Sequence, residues 1–152
     1  MIKWKRIIIH CSDSLWGNAA EIREWHVKGN NWSDIGYHYV INNGHIRPSL
    51  YLSAFDGSIE IGRQIDEDQW AEAEEVGAHA YGFNSDSIGI CLIGKDLFTS
   101  CQIATLFSLL SDLVKAFDIS SDNVIGHYEI EPRKTCPNID IESFRNILKK
   151  VE

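Results

Sequence analysis

Residues 88–93 read Ile88-Gly89-Ile90-Cys91-Leu92-Ile93, an unbroken run of six residues without a polar side chain. Strands that are buried on both faces of a sheet have this pattern, whereas strands exposed on one face alternate apolar and polar residues. The run therefore predicts a strand in the middle of a sheet. A second apolar run, Ile7-Ile8-Ile9-His10, predicts another short buried strand that ends on a histidine.

A third strand is predicted at Tyr37-His38-Tyr39-Val40-Ile41, whose aromatic and β-branched residues favour extended structure. Side chains alternate between the two faces of a strand, so we expect Tyr37 and Tyr39 on the same face. Asn43-Gly44, which follows directly, is typical of a turn.

A tight hairpin is predicted further along the chain. Asp56-Gly57 supplies the residues that two-residue hairpin turns favour, and the segments Leu50 to Phe55 and Ser58 to Ile61 flank it. Val124-Ile125, just before His127, predicts one more short strand.

Three helices are predicted from their starting residues and their apolar periodicity. Asn18 with Glu21, and Thr99 with Gln102, have the spacing of a capping box, and Asp140 is a good N-cap for the last helix. The second and third helices carry apolar stripes of helical period: Leu106, Leu109, Leu110, Leu113 and Phe117, then Ile141, Phe144, Ile147, Leu148 and Val151. Strands interleaved with helices predict a single α/β domain over residues 1–152, in which helices cover both faces of one mixed sheet.

Composition and charge narrow the class of function. At 152 residues, with 44% apolar and 24% charged residues, the chain has the profile of an ordinary globular domain. A net charge of −8 argues against a nucleic acid as partner, since that binding depends on clustered Lys and Arg. Residues 1–10 lack the length of a signal-peptide core, so we expect a protein made in the cytoplasm and without membrane insertion. We also expect a monomer.

The stretch from Gly126 to Pro137, GHYEIEPRKTCP, concentrates groups that can bind a metal ion. His127 and Cys136 offer an imidazole nitrogen and a thiolate, a ligand pair that suits zinc. Lys134 would place a positive charge beside the metal. Two ligands do not make a site, so a third must come from elsewhere in the chain.

The best candidate for that third ligand is His10, at the end of the first predicted strand. Ligands commonly collect at the strand ends of an α/β sheet, and we expect this zinc site at one edge of the sheet. Taken alone, His10 is more readily interpreted as a core histidine. With His127 and Cys136, it completes the three N/S ligands of a catalytic zinc site, which keeps its fourth position open. Cys11 would be the fourth ligand of a closed, structural site instead.

Nearly the whole chain resembles one family, the zinc-dependent N-acetylmuramoyl-L-alanine amidases, which include small bacteriophage endolysins and the peptidoglycan recognition proteins. The matching blocks follow in family order: Ile7-Ile8-Ile9-His10-Cys11-Ser12, Ile22-Arg23-Glu24-Trp25-His26, Trp32 and Gly36-Tyr37-His38-Tyr39-Val40-Ile41, Gly77-Ala78-His79-Ala80, Asn84 and Ser87-Ile88-Gly89-Ile90-Cys91, Gly126-His127, and Lys134-Thr135-Cys136-Pro137. Compared with the family pattern, the segments 44–52 and 68–75 look longer. The second segment is acidic and predicts a short helix around Trp70.

This resemblance implies roles for residues that pattern alone does not assign. Tyr37 and Lys134 are expected to be catalytic, and His79, Trp32 and Asn84 to contact the substrate. Helical periodicity, and not the resemblance, gives the expectation for His26: Ile22 and Trp25 face inward, and His26 on the neighbouring stripe is expected to pack against the sheet. The bond cleaved would be the amide between the lactyl group of N-acetylmuramic acid and L-alanine in peptidoglycan or in muropeptides, with Zn²⁺ as cofactor.

Two other functions stay open on the sequence. One is a peptidoglycan-binding module without catalysis, although family members that only bind tend to lack the cysteine that is present here as Cys136. The other is an intracellular amidase that recycles wall fragments, although its relatives use a carboxylate as third ligand. The sequence favours an endolysin that reaches the cell wall after release.

Overall fold

The computed structural model describes residues 1–151. Within them seven strands form: β1 (Ile2–Lys3), β2 (Arg6–Cys11), β3 (Tyr39–Arg47), β4 (Leu50–Ile61), β5 (Trp70–Ala71), β6 (Ser87–Leu92) and β7 (Val124–Gly126). The same residues form three α-helices: α1 (Ala19–Glu24), α2 (Ser100–Ala116) and α3 (Ile141–Val151). A π-helical segment, Trp25–Gly29, continues α1 without a break. None of these helices is long and apolar enough to cross a membrane.

One mixed sheet of five strands, in the order β4-β3-β6-β2-β7, lies at the centre of the described chain. β6 is its middle strand and pairs in parallel with β2 on one side and β3 on the other. β7 is parallel to β2, and β4 is antiparallel to β3. The predicted mixed sheet, with the 88–93 run at its centre, is confirmed.

Helices cover both faces of this sheet, as predicted. On one face, Leu106 of α2 and Phe144 of α3 belong to the larger apolar cluster together with Ile90 of β6. On the other face, Ile22 of α1 packs in a second cluster with Cys91, the next residue along β6. Neighbouring residues of β6 are therefore buried on opposite faces, which explains why this strand has no polar alternation.

The predicted helix starts are confirmed by their caps. The Asn18 side-chain oxygen accepts the Glu21 backbone N–H at 2.8 Å. Thr99 and Gln102 exchange two side-chain-to-backbone hydrogen bonds of 3.0 Å each, a complete capping box. Asp140 accepts a backbone N–H from the first turn of α3 at 3.1 Å. Each such cap stabilises its helix by about 0.5–2 kcal/mol.

The hairpin predicted at Asp56-Gly57 is wrong, because β4 runs through both residues. Gly57 has a φ of 78°, and the register between β3 and β4 shifts around it, so the glycine forms a bulge and not a turn. Its missing side chain also makes room for α2, since a Cβ here would lie 2.8 Å from the Cβ of Cys101. The turn predicted at Asn43-Gly44 is wrong as well, because β3 continues through it to Arg47.

The acidic segment 68–75 does not form the short helix expected from its sequence. Trp70 and Ala71 instead make up β5, which pairs antiparallel with β1. The side chains of Asp66 and Asp68 each accept the backbone N–H two residues further on, at 2.9 and 2.7 Å. Such local bonds compete with the hydrogen bonds of a helix, and here they hold the segment in an extended path.

Tyr37 lies just outside the strand to which the sequence pattern assigned it, because β3 begins at Tyr39. Alternation therefore does not apply between the two tyrosines. Tyr37 packs with the α1-side cluster and Tyr39 with the α2-side cluster, so the expectation that they share a face is wrong. Tyr37 is directed instead toward the end of β2, where its ring centroid lies 5.1 Å from that of His10.

Candidate metal centre and cleft

Two parallel strands bring the predicted ligands His10 and His127 together. β2 and β7 pair in register with Ile9 opposite Gly126, so the next residue of each chain segment is a histidine. The two imidazole ring centroids lie 4.5 Å apart. Parallel pairing thus supplies the contact that the long separation in sequence left open.

Cys136 completes the group from the loop that follows β7. The backbone N–H of Tyr128 donates to the Cys136 carbonyl at 2.9 Å and folds this loop back toward the strand ends. The ligand atoms of His10, His127 and Cys136 all lie within 4.8 Å of one another. All three predicted ligands are therefore gathered at the carboxyl ends of β2 and β7, beside the edge of the sheet.

This cluster fits a four-coordinate zinc ion. Tetrahedral Zn–N and Zn–S bonds of about 2.0–2.3 Å place neighbouring ligand atoms about 3.5 Å apart, so the separations here, at most 4.8 Å, need to close by no more than about 1.3 Å. Two imidazoles and a thiolate leave one position for water or substrate. Within residues 1–151 no fourth His, Cys, Asp or Glu joins the group. Cys11, the alternative fourth ligand, instead donates its backbone N–H to the Cys136 sulfur at 3.0 Å.

Both ligand imidazoles are held in the neutral form that binds metals. Burial first, and then the nearby rings of His79 and His127, lower the pKa of His10 well below its usual value. Partial burial and the positive charge of Lys134 lower the pKa of His127. Burial also lowers the pKa of His79 to about 3. None of these rings needs to lose a proton before a cation binds.

The thiols of Cys11 and Cys136 titrate as a pair. The hydrogen bond that they share lowers the pKa of Cys11 to about 7 and raises the pKa of Cys136. One negative charge is therefore accessible near neutral pH beside the two imidazoles. A cation would draw this charge to Cys136, whose sulfur already accepts a backbone N–H.

Tyr37 stands beside the cluster as a neutral phenol. Burial first, and then the neighbouring Cys91 and Cys136, raise the pKa of Tyr37 well above its ordinary value near 10. The phenol therefore keeps its proton at neutral pH and can donate a hydrogen bond. Its side chain lines both of the adjoining cavities that make up the cleft.

Lys134 supplies a cation at the same place. In the part of the chain that the structure describes, its ammonium has no hydrogen-bond or ion-pair partner, and the residue is exposed along the cleft. Arg133 differs, because its guanidinium pairs with Glu131 at 2.9 Å. Lys134 is thus free to contact a bound substrate.

The cleft over the cluster has two lobes, which share Tyr37, His79, His127 and Lys134. The polar lobe has a volume of about 370 Å³ and contains the metal-ligand cluster. The aromatic lobe has a volume of about 410 Å³ and is more apolar. Its remaining walls are formed by His26, Trp32, Ala78, Ala80, Tyr81, Asn84, Ile130 and Glu131.

The three residues predicted to contact substrate all line the aromatic lobe. Trp32 is 37% exposed on its wall. The Asn84 side-chain oxygen accepts the backbone N–H groups of His79 and Ala80, each at 2.8 Å. The His79 ring is bonded to His10, with 2.9 Å between Nδ1 and Nε2. Contact with substrate stays a prediction for all three, and Asn84 and His79 also hold the site together.

His26 was expected to pack against the sheet and instead lines the aromatic lobe. It stands on the π-helical segment, a feature that is frequent at functional sites and that apolar periodicity does not reveal. The Gly36 N–H donates to its Nδ1 at 2.9 Å, and its ring lies 4.7 Å from the indole of Trp32. Its place in a block that resembles the amidases was the one available signal.

The open cleft contains the groups that a metal-assisted hydrolase uses: two imidazoles, a thiol, a neutral phenol and an unpaired ammonium. Comparison with known proteins identifies which one. Residues 2–139 match the family described as N-acetylmuramoyl-L-alanine amidase. The chain belongs to this family, and the family and the enzyme class predicted from the sequence are confirmed.

Relatives agree along most of the chain. It is 35% identical over 149 residues to the endolysin of Escherichia phage T7 and 32% identical over 150 residues to that of Klebsiella phage KP32; each match covers 91% of this chain and 83% of the relative. The solved structure of N-acetylmuramoyl-L-alanine amidase LysC from Clostridium intestinale has a TM-score of 0.75 at 24% identity, covering 97% of this chain and 87% of that one. This likeness confirms the predicted α/β fold.

Proposed function

We propose that this amidase is a zinc-dependent endolysin, which hydrolyses the amide between the lactyl group of N-acetylmuramic acid and L-alanine in peptidoglycan. The observation that carries the proposal is the group of His10, His127 and Cys136 ligand atoms, all within 4.8 Å, at the side of an open cleft. The phage endolysins that match 91% of the chain support the same role.

In this proposal the three ligands hold one zinc ion and leave a position for water or substrate. Bound zinc would supply Lewis-acid polarisation of the amide carbonyl and would acidify the attacking water. The Cys136 thiolate cancels one of the two positive charges of the metal. The remaining charge that the reaction needs must therefore come from the protein.

Lys134 provides that charge. Attack on the amide carbonyl turns its oxygen into an oxyanion, and an ammonium without a protein partner can move to it. Tyr37, which keeps its proton at neutral pH, orients the attacking water or passes a proton toward the leaving amine. Both side chains line the two lobes of the cleft, so a substrate that lies across the cluster meets both.

The aromatic lobe binds the peptidoglycan fragment in this proposal. Trp32 offers a partly exposed indole, and His79 and Asn84 line the same lobe. The enzyme works as a monomer, is made in the cytoplasm, and acts on the cell wall after its release.

Digestion of purified peptidoglycan tests the proposal. The products are analysed by mass spectrometry with and without a chelator, and a Cys136→Ser variant serves as the matched inactive control. Free lactyl carboxylates paired with free L-alanine amines, lost with the chelator and restored by zinc, support it. New reducing sugar ends would overturn it.

The same assay separates the two alternatives. A protein that sediments with peptidoglycan and releases nothing would be a binding module. Release from soluble muropeptides but not from intact wall would replace the endolysin with a recycling amidase. Both results would overturn the endolysin role.

A further inference from the structure

Both ring nitrogens of His79 make hydrogen-bond contacts. Its Nδ1 lies 2.9 Å from Nε2 of His10, and its Nε2 lies 3.3 Å from the carbonyl oxygen of Ser87. The rings of His10 and His79 are perpendicular, with centroids 5.0 Å apart. A chain of contacts therefore runs from a backbone carbonyl through His79 to a candidate metal ligand.

These contacts determine where the protons are. The Ser87 hydroxyl also lies 3.3 Å from Nε2, but it donates its hydrogen to the Phe83 carbonyl at 2.6 Å. Both oxygens beside Nε2 can therefore only accept, so Nε2 of His79 carries the N–H. A neutral imidazole has one N–H, and Nδ1 of His79 is therefore an acceptor. Nε2 of His10 must then be the donor in the 2.9 Å contact. The lone pair of His10 is left on Nδ1, available to a metal ion.

We propose that His79 is a positioning residue of the metal centre, which accepts the Nε2–H of His10 and thereby presents the Nδ1 lone pair of His10 to the zinc. This inference rests on the proposed function, since it requires zinc at His10, His127 and Cys136. Metal-bound histidines commonly donate their second N–H to a carboxylate or a carbonyl. Here a neutral histidine takes that place and adds no negative charge.

The protein is shaped around the His79 ring. A Cβ at Gly89 would lie 2.7–2.8 Å from three atoms of this ring, and a Cβ at Gly77 would lie 2.8 Å from its Cδ2. Neither glycine has the positive φ that would itself require glycine. The Asn84 side chain holds the His79 backbone N–H at 2.8 Å. Two glycines and an asparagine thus fix a slot for the ring, which is more than a surface contact with substrate would need.

Two isosteric substitutions separate the acceptor from the shape of the side chain. His79→Asn places its oxygen where Nδ1 lies, whereas His79→Leu has the same shape as asparagine and no acceptor. Zinc affinity is measured by competition with a chromophoric chelator, without any substrate. We expect His79→Leu to bind zinc about 10–100-fold more weakly than wild type and His79→Asn to retain most of the affinity. His45→Leu, a half-buried histidine far along β3 whose ring faces Tyr51, should bind as wild type does.

The outcomes are distinguishable from failure of the proposed function. Equal zinc affinity in wild type and His79→Leu would overturn the positioning role and leave the zinc amidase standing. Equal weakening in the Asn and Leu variants would also overturn it, because the acceptor would then not matter. A wild-type protein that binds no zinc would overturn the proposed function and the inference together.

A second measurement needs no variant. Nitrogen-15 NMR of the metal-free wild-type protein reports which imidazole nitrogen carries the proton. We expect the Nε2–H form for both His10 and His79. A His10 ring protonated at Nδ1 would overturn the inference even if substitution at position 79 prevented folding.

Discussion

His38 makes the stability of this protein depend on pH in a predictable way. Its imidazole is fully buried and uses both nitrogens: the Gly89 N–H donates to Nδ1 at 2.8 Å, and Nε2 donates to the Glu75 carbonyl at 2.7 Å. A second proton would have to sit on Nδ1, directly facing the Gly89 N–H. Burial lowers the pKa of His38 to about 4 in the folded state.

The sign and the size follow from linkage. An unfolded histidine has a pKa of about 6.5, so between about pH 6.5 and pH 4 the unfolded chain binds the proton and the folded protein does not. The contribution of His38 is therefore complete above about pH 6.5 and is lost as the pH falls toward 4. At pH 5 the solution is about 1.5 pH units below the pKa of the unfolded histidine. At 1.36 kcal/mol per unit, the unfolding free energy is therefore about 2 kcal/mol lower than above pH 6.5.

Urea unfolding of wild type and His38→Gln, at pH 7.5 and pH 5 with a chelator present, checks this value. Glutamine can keep a donor and an acceptor but does not titrate, and the carboxylates that respond to acid are the same in both proteins. We expect wild type to lose about 2 kcal/mol more than the variant between the two pH values. A His45→Gln control should lose as much as wild type. Equal losses in wild type and His38→Gln would refute the reasoning.

Four further substitutions test the site. Cys136→Ser should lose most of its zinc, measured by elemental analysis, and all hydrolysis, because a hydroxyl is a poor zinc ligand; Cys101→Ser, at an exposed position, should lose neither. Lys134→Met and Tyr37→Phe should keep zinc while turnover falls by about 10²–10³ and 10²–10⁴ respectively; loss of zinc in either would assign that side chain to the ligand loop instead. Gly89→Ala should weaken zinc binding, because its methyl group displaces the His79 ring; an unchanged affinity would contradict the slot.

The centre of the fold was predictable because a strand that is buried on both faces has consecutive apolar residues. β6 has no polar side chain facing solvent, and the helix caps at Asn18 and Thr99 are local hydrogen bonds between residues three apart. The Asp56-Gly57 signal failed because a bulge and a hairpin need the same residue types. What decides between them is the packing of α2 against Gly57, a contact 44 residues distant in sequence that no local pattern contains.

The sequence offers candidate residues for the site but not their geometry. The sequence could name His10 and His127 as candidate ligands, but only the register of β2 against β7 makes them neighbours. The roles of Tyr37 and Lys134 came from resemblance to a family. His26 was misplaced because its direction was judged from α-helical periodicity, whereas the residue stands on a π-helical segment.

Charge balance explains why the candidate site combines the Cys136 thiolate, a neutral His79 as positioning residue, and an unpaired Lys134. The Cys136 thiolate removes one of the two charges of a bound zinc ion, and a carboxylate behind His10 would pull the balance further toward neutral. A neutral His79 avoids that loss. In the proposed mechanism Lys134 then adds a charge for the oxyanion. The nearby Glu131 is paired with Arg133, and their hydrogen bond lowers the pKa of Glu131 to about 2 and keeps its carboxylate on the arginine. In a chain with a net charge of −8, the exposed ammonium of Lys134 thus stays available in the cleft because the nearby Glu131 is paired with Arg133.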